Sequence, residues 1–226
     1  MKKKIDERIR ALIDNAAKQR HRGFFVIIGD RGRDAVVNLH QLYSKTAPGK
    51  KVLWCYKKEL GFSSHKKRRM KQIKKLKNSG VYDQDIDDPF ELFINSTDIS
   101  YVFYKDSHRV LGNTFSMVVL QDFESITPNV LCRTIETVEG GGLVVLLLNT
   151  MSSLKQLYTL TMDCHQRYRT EAYNNVVPRF NERFILSLTK NDGCMVVDDE
   201  FNVLPISSKI KEMTAIEDDG EHNTKE

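Results

Sequence analysis

The tightest constraint on this chain is a pair of apolar runs, Phe115–Leu120 and Leu143–Leu148, that bracket a short helical segment. Neither run alternates apolar with polar residues, so neither has a face reserved for water. Such runs suit strands covered on both faces, the mark of a parallel sheet. Between them Thr127 is placed to cap a helix and Pro128 to take its first position. Leu131, Ile135 and Val138 recur at helical spacing, and Gly140-Gly141-Gly142 is expected to stop the helix. A strand–helix–strand unit of this kind crosses over right-handed. Parallel sheets bind ligands outside the carboxyl ends of their strands. Asp122, Glu124 and Asn149 fall in those loops.

Phe24–Ile28, Val52–Tyr56, Ile99–Tyr104 and Met195–Val197 read as further strands. Helices are expected over Lys4–Arg20, with Ile5, Ile9, Leu12 or Ile13 and Ala16 as the apolar stripe, and around Val36, Leu39 and Leu42 or Tyr43. Others are expected from Pro89 through Ile94, after the capping box at Ser153-Leu154-Lys155-Gln156, and through Phe180, Phe184 or Ile185 and Leu188. Strands and helices alternate, so the fold class is α/β: a mostly parallel sheet flanked by helices over residues 1–206. Residues 207–226 are polar and patternless and read as a flexible linker toward a further domain.

Gly29-Asp30-Arg31-Gly32-Arg33-Asp34, between a strand and a helix, is the setting of a phosphate loop. The chemistry is incomplete. A phosphate loop starting at Gly29 needs Gly, Lys and Ser/Thr where the chain has Asp34, Ala35 and Val36. There is no lysine for the outer phosphates and no hydroxyl for magnesium, and Asp34 sets a negative charge beside the anion. Asp34 is read as the N-cap of the next helix. Val118–Glu124 is similar to the acidic strand end of an ATPase, where an aspartate holds magnesium. Without the lysine, Asp122 and Glu124 are read as structural groups, positioning an arginine or capping backbone near Thr127.

Charge divides the chain. Residues 1–80 carry 23 Lys/Arg against 6 Asp/Glu, whereas residues 81–226 carry 12 against 24. That split points to a polyanion partner for the first part. Its densest stretch, Lys57 to Gly80, holds ten Lys/Arg and one acid. The candidates for holding RNA are Lys57, Lys58, His65, Lys66, Lys67, Arg68, Arg69, Lys71, Lys74 and Lys75. Met70, Ile73 and Leu76 would make a narrow apolar stripe there. A basic amphipathic helix also fits a nuclear import signal, an anionic membrane surface or simply a solvated face. Phosphate contacts carry no base information, so sequence specificity is expected to be poor.

Arg167 and Arg169 are candidates for phosphate or carboxylate contacts at the sheet end, with a salt bridge to Glu171 or Glu182 as the rival reading. Asp163, Cys164 and His165 are neighbours on one helix, point apart and cannot share a metal. Cys55, Cys132, Cys164 and Cys194 are far apart, three in apolar surroundings, so no zinc site, disulfide framework or other metal site is expected. Reduced thiols fit the cytosol or nucleus. The start MKKKIDERIR lacks the apolar region of a secretory signal, and no run approaches the roughly 20 apolar residues of a membrane span. No catalytic constellation can be placed from spacing.

The segments VLWCYKKELGFSSHKKRR, DDPFELFI, VLQDFESITPN, RTIETVEGGGLVVLLL, SLKQLYTLTMD, RYRTEA and RFNERFILSL closely resemble the amino-terminal region of the eukaryotic RNA cytidine acetyltransferases, related to the bacterial tRNA enzyme. The resemblance covers about residues 1–206. It implies a RecA-like module without its own nucleotide site, preceding an ATPase and an acetyltransferase domain that are not in these residues. The parent would use acetyl-CoA, ATP and magnesium to acetylate N4 of cytidine in small-subunit ribosomal RNA and in tRNA. The segment itself would bind none of these cofactors and carry no catalytic residue. The resemblance further implies a nuclear, nucleolar location and a homodimeric parent. Implied partners are pre-rRNA, tRNA, the rest of the parent chain, a tRNA adaptor protein and ribosome-assembly factors, with no membrane. Two rival functions stay open: a self-standing ATPase using Gly29–Arg33 and Asp122, and a protein-docking module of ribosome assembly.

Overall fold

Asp6 starts the first helix by accepting the Arg8 N–H at 3.0 Å, the N-cap contact that a first turn needs. Helix α1 (Glu7–Gln19) buries Ile9, Leu12, Ile13 and Ala16. It ends where Arg20 turns left-handed (φ 54°) and the His21 N–H returns to the Ala16 carbonyl at 3.0 Å. There follow β1 (Gly23–Ile28), α2 (Gly32–Thr46), β2 (Val52–Tyr56), α3 (Pro89–Ser96) and β3 (Ile99–Phe103). A 3-10 turn (Tyr104–Val110), β4 (Phe115–Leu120), a second 3-10 turn (Phe123–Ser125) and α4 (Pro128–Glu136) come next. The last elements are β5 (Val138–Leu148), α5 (Arg179–Lys190) and β6 (Cys194–Asp198). The structure, a computed structural model, describes residues 5–46, 51–57, 89–151, 170–173, 179–206 and 213–216.

The strands form one six-stranded sheet in the order β3-β2-β4-β5-β1-β6, every pairing parallel. The continuous apolar runs are therefore what they promised: β1, β2 and β4 are buried at every residue. Successive side chains serve opposite layers. Phe25, Ile27, Trp54, Val119, Val145 and Met195 face α1, α2 and α3. Val26, Leu53, Val118, Val144 and Val196 face α4, α5 and the Tyr104–Val110 turn. The edge at β6 is shielded by the chain returning antiparallel: the Leu204 N–H donates to the Val196 carbonyl at 2.8 Å, and Val203 bridges Val197.

Three expectations need correcting. Val138 is the first residue of β5, not the last of a helix; Thr137 already closes α4. Nor do Gly140–Gly142 stop a helix. In the β4–β5 register Phe115 faces Val138 but Met117 faces Leu143, so residues 139–142 are a bulge in the strand. This bulge lies on the end of α1, where the Gly141 N–H donates to the His21 carbonyl at 2.9 Å. A β-carbon on Gly140 would sit 2.7 Å from the Arg20 carbonyl oxygen, so the glycines permit close backbone approach. Third, Asp34 is not the N-cap of α2, which begins at Gly32 and holds Asp34 inside its first turn. A smaller shift follows the same logic: β3 stops at Phe103 because Tyr104 enters the 3-10 turn. Of the cysteines, Cys55 and Cys194 are buried and Cys132 is exposed.

The Thr127 cap and Pro128 at the start of α4 stand as expected, with Thr127 Oγ1 accepting the Val130 N–H at 3.2 Å. Within the polar stretch 207–226, residues 213–216 lie along α1. The Asn15 amide donates to the Thr214 carbonyl at 2.9 Å and accepts the Ile216 N–H at 2.8 Å. The capping box at Ser153, the Asp163–His165 group and the basic stretch beyond Lys57 lie outside the described residues.

Candidate functional site

Parallel pairing brings the ends of β1, β4 and β5 together at the carboxyl edge of the sheet. There Gly29, Asp30, Gly32 and Arg33 from the β1–α2 turn meet Gln121–Glu124 after β4 and Leu147–Asn149 at the end of β5. They line a polar cavity of about 370 Å³. Asp122, Glu124 and Asn149, singled out by sequence, thus share one site. The Asn149 amide points to Glu124 Oε1 at 3.5 Å. Asp122 has a left-handed backbone (φ 57°), a conformation that Asp tolerates better than most residues. Its Oδ2 accepts the Lys57 N–H at 3.0 Å, where the chain leaves β2. It caps the end of β2.

Gln121 ties the cavity floor to the core. Its carbonyl accepts the hydroxyl of Tyr104, and its Oε1 accepts the Trp54 indole N–H at 3.3 Å. Burial, aided by Cys55, Asp122 and Glu124, raises the Tyr104 phenol well above its ordinary range, so it stays protonated and donating. Burial likewise pushes the Cys55 and Cys194 thiols up to about 12, which leaves both inert as nucleophiles.

The β1–α2 turn has its own partner on the side away from the cavity. Asp199, just past β6, accepts the Arg31 N–H at 3.1 Å, and its carboxylate lies 3.6 Å from Arg31 Nε. Glu200 holds the other end of the same guanidinium at 3.3 Å. No spacing rule in the sequence signals this contact, because it depends on β6 pairing with β1. The donor set around the turn does not suit a triphosphate: carboxylates dominate both flanks, and position 35 offers only the buried methyl of Ala35. Among the described residues no group of three or more His, Cys, Asp or Glu is placed to hold a metal ion. Of the basic candidates, Lys57 is described and exposed at the cavity rim side of β2; Lys58 to Lys75, and Arg167 and Arg169, lie outside the described residues.

Asp122 gives a direct test of the capping role. Replacing it by alanine removes the Lys57 contact and leaves a side chain that disfavours the left-handed region. Asp122→Ala is expected to cost about 1–2 kcal/mol in urea unfolding, and Asp122→Asn, which keeps an acceptor and tolerates the backbone, less than about 0.5 kcal/mol. Equal losses would deny the backbone argument.

Comparison with known proteins gives a consistent result. The family described as tRNA(Met) cytidine acetyltransferase TmcA, N-terminal, matches residues 1–199. The chain is 60% identical over 217 residues to the RNA cytidine acetyltransferase of Homo sapiens. It is 56% identical over 223 residues to that of Saccharomyces cerevisiae, and 56% over 218 residues to RNA cytidine acetyltransferase 1 of Arabidopsis thaliana. These alignments cover 95–96% of this chain but 21% of each relative, so the chain spans about a fifth of their length.

Proposed function

Because the chain belongs to the TmcA amino-terminal family of cytidine acetyltransferases, we propose that it is the non-catalytic front module of such an enzyme, a RecA-like support that helps hold RNA and packs on an ATPase domain. The parent enzyme in this reading acetylates N4 of cytidine in small-subunit ribosomal RNA and tRNA. It spends ATP with magnesium and takes its acetyl group from acetyl-CoA, in the nucleolus during ribosome assembly. The module itself contributes neither nucleophile nor cofactor ligand. A tRNA adaptor, assembly factors and a second copy of the parent are the partners that this reading assigns to the whole enzyme.

One observation carries the proposal. The sheet end keeps the outline of a nucleotide site, but carboxylates line it, while 23 Lys/Arg crowd into residues 1–80. A polyphosphate is repelled from the first place, and an RNA backbone is attracted to the second.

The test is RNA binding by this chain across a salt series. Changing Lys66, Lys67, Arg68 and Arg69 to glutamate should lower affinity for single-stranded RNA by about a hundredfold near physiological salt. Each lost phosphate contact should reduce the slope of log K against log salt by about 0.7. Unchanged affinity and slope would refute the RNA role. In that case, redirection of a reporter by residues 57–80 alone would assign the basic run to nuclear import.

A further inference from the structure

The contact between Asp199 and the β1–α2 turn is more than a surface ion pair. The turn exposes the Arg31 N–H at the positive end of α2, a place that attracts anions. The Asp199 carboxylate takes that N–H at 3.1 Å and is itself only 19% exposed, whereas Arg31 and Glu200 are mostly exposed. Its fit over Gly29 is close: a β-carbon on Gly29 would meet Asp199 Cγ at 2.6 Å and Oδ2 at 2.7 Å. Gly29 also has φ 149°, a conformation that L residues rarely adopt, so backbone and packing both favour glycine there.

The chain also holds that carboxylate rigidly. Asp198 Oδ1 accepts the N–H groups of Glu200 at 3.0 Å and Asn202 at 2.7 Å, and Asp198 Oδ2 accepts the Asn202 amide at 2.6 Å. Phe201, left-handed at φ 63°, is buried in the core under the turn. Asp199 is therefore presented by a fixed hairpin, not by a mobile arm.

We infer that Asp199 is a built-in anion that occupies the Arg31 N–H and guanidinium on the β6 side of the β1–α2 turn, so that the turn clamps the sheet's outer strand. The inference rests on the reading of this module as nucleotide-free and gives the turn a structural use in place of phosphate binding. With the carboxylate in place, the Arg31 N–H and guanidinium are already engaged, and the face of Gly29 toward β6 is closed by Asp199.

Removing the carboxylate should leave an acetate-sized vacancy next to a donor and a cation. Asp199→Ala is expected to melt about 4–8 °C below the wild-type chain. Acetate at about 100 mM should return about half of that loss, chloride at equal ionic strength should not, and the wild type should show no acetate preference. Acetate acting no better than chloride on the variant, or equally well on the wild type, overturns the inference. Asp199→Asn covers the case in which the alanine variant does not fold. It should melt below wild type and ignore acetate; melting with the wild type would mean that the turn asks for shape and not charge. ATP titrated into the wild type by calorimetry separates the two claims. Micromolar binding sinks the nucleotide-free reading itself, whereas failed acetate rescue without ATP binding sinks only the role of Asp199.

Discussion

Gly142→Ala is expected to lower stability by about 3 kcal/mol or more and the melting temperature by about 6–12 °C. The reason is steric. A β-carbon at 142 would stand 2.6 Å from the Ser116 carbonyl oxygen on β4, 2.6 Å from Val138 Cγ1 and 3.0 Å from the Glu139 carbonyl oxygen. Two of the three obstacles are backbone. The Ser116 backbone is itself fixed, because its N–H donates to the Lys51 carbonyl at 3.0 Å on the far side of β4. The strands must part, or the bulge at 139–142 must collapse, and both lie beside the sheet's centre. Gly112 is the internal control. It also resists substitution, but only through its backbone (φ 82°), with nothing within 4 Å of a β-carbon. Gly112→Ala should cost about 1 kcal/mol. Chemical denaturation of both variants decides it; a Gly142→Ala loss no greater than that of Gly112→Ala would refute the packing argument.

That glycine run also shows where sequence patterns stop being informative. Periodicity located the strands because burial on both faces is written along each strand itself: Phe24–Ile28, Val52–Tyr56 and Met195–Val197 all lie within observed strands. Thr127-Pro128 fixed the start of α4 because a cap is a local device. The end of α4 was misplaced because Val138, at helical spacing from Leu131, is equally apolar as the first residue of a strand. The glycines answer to α1, more than a hundred positions away in the chain, and no window along the sequence contains both. Asp34 failed as a cap for a related reason. The Arg31 N–H, just before α2, is taken by Asp199 from the neighbouring strand's end, a contact that spacing along the sequence does not reveal.

The candidate site was legible to the same degree. The rule that ligands sit at strand carboxyl ends groups Asp122, Glu124 and Asn149 from the sequence alone, and they do line one cavity with the Gly29–Arg33 turn. What Asp122 holds there, the Lys57 N–H, depends on β2 lying beside β4, and strand order is not written in local spacing.

Trp54→Ala should be among the most damaging substitutions outside the glycines, at about 3–5 kcal/mol. Trp54 is fully buried in the middle of β2. Its ring meets Phe90 of α3 edge-on at 6.1 Å and Tyr101 of β3 at 6.5 Å. Its indole N–H reaches Gln121 at the cavity floor at 3.3 Å. One side chain therefore joins three strands and a helix, and alanine would leave a large cavity among them. Trp54→Phe keeps most of the volume and loses the N–H, so about 1–2 kcal/mol is expected. Urea unfolding with an unchanged m value separates the two; a loss under about 1 kcal/mol for alanine would mean that the core closes over the gap. A functional consequence follows, because β2 ends at Tyr56 and α3 begins at Pro89, the two anchors of the basic stretch between them. Trp54→Phe loosens the anchors without touching a charge. Under the proposed RNA role, affinity for RNA should fall modestly while its salt slope holds, the opposite of the change expected when the lysines themselves are reversed.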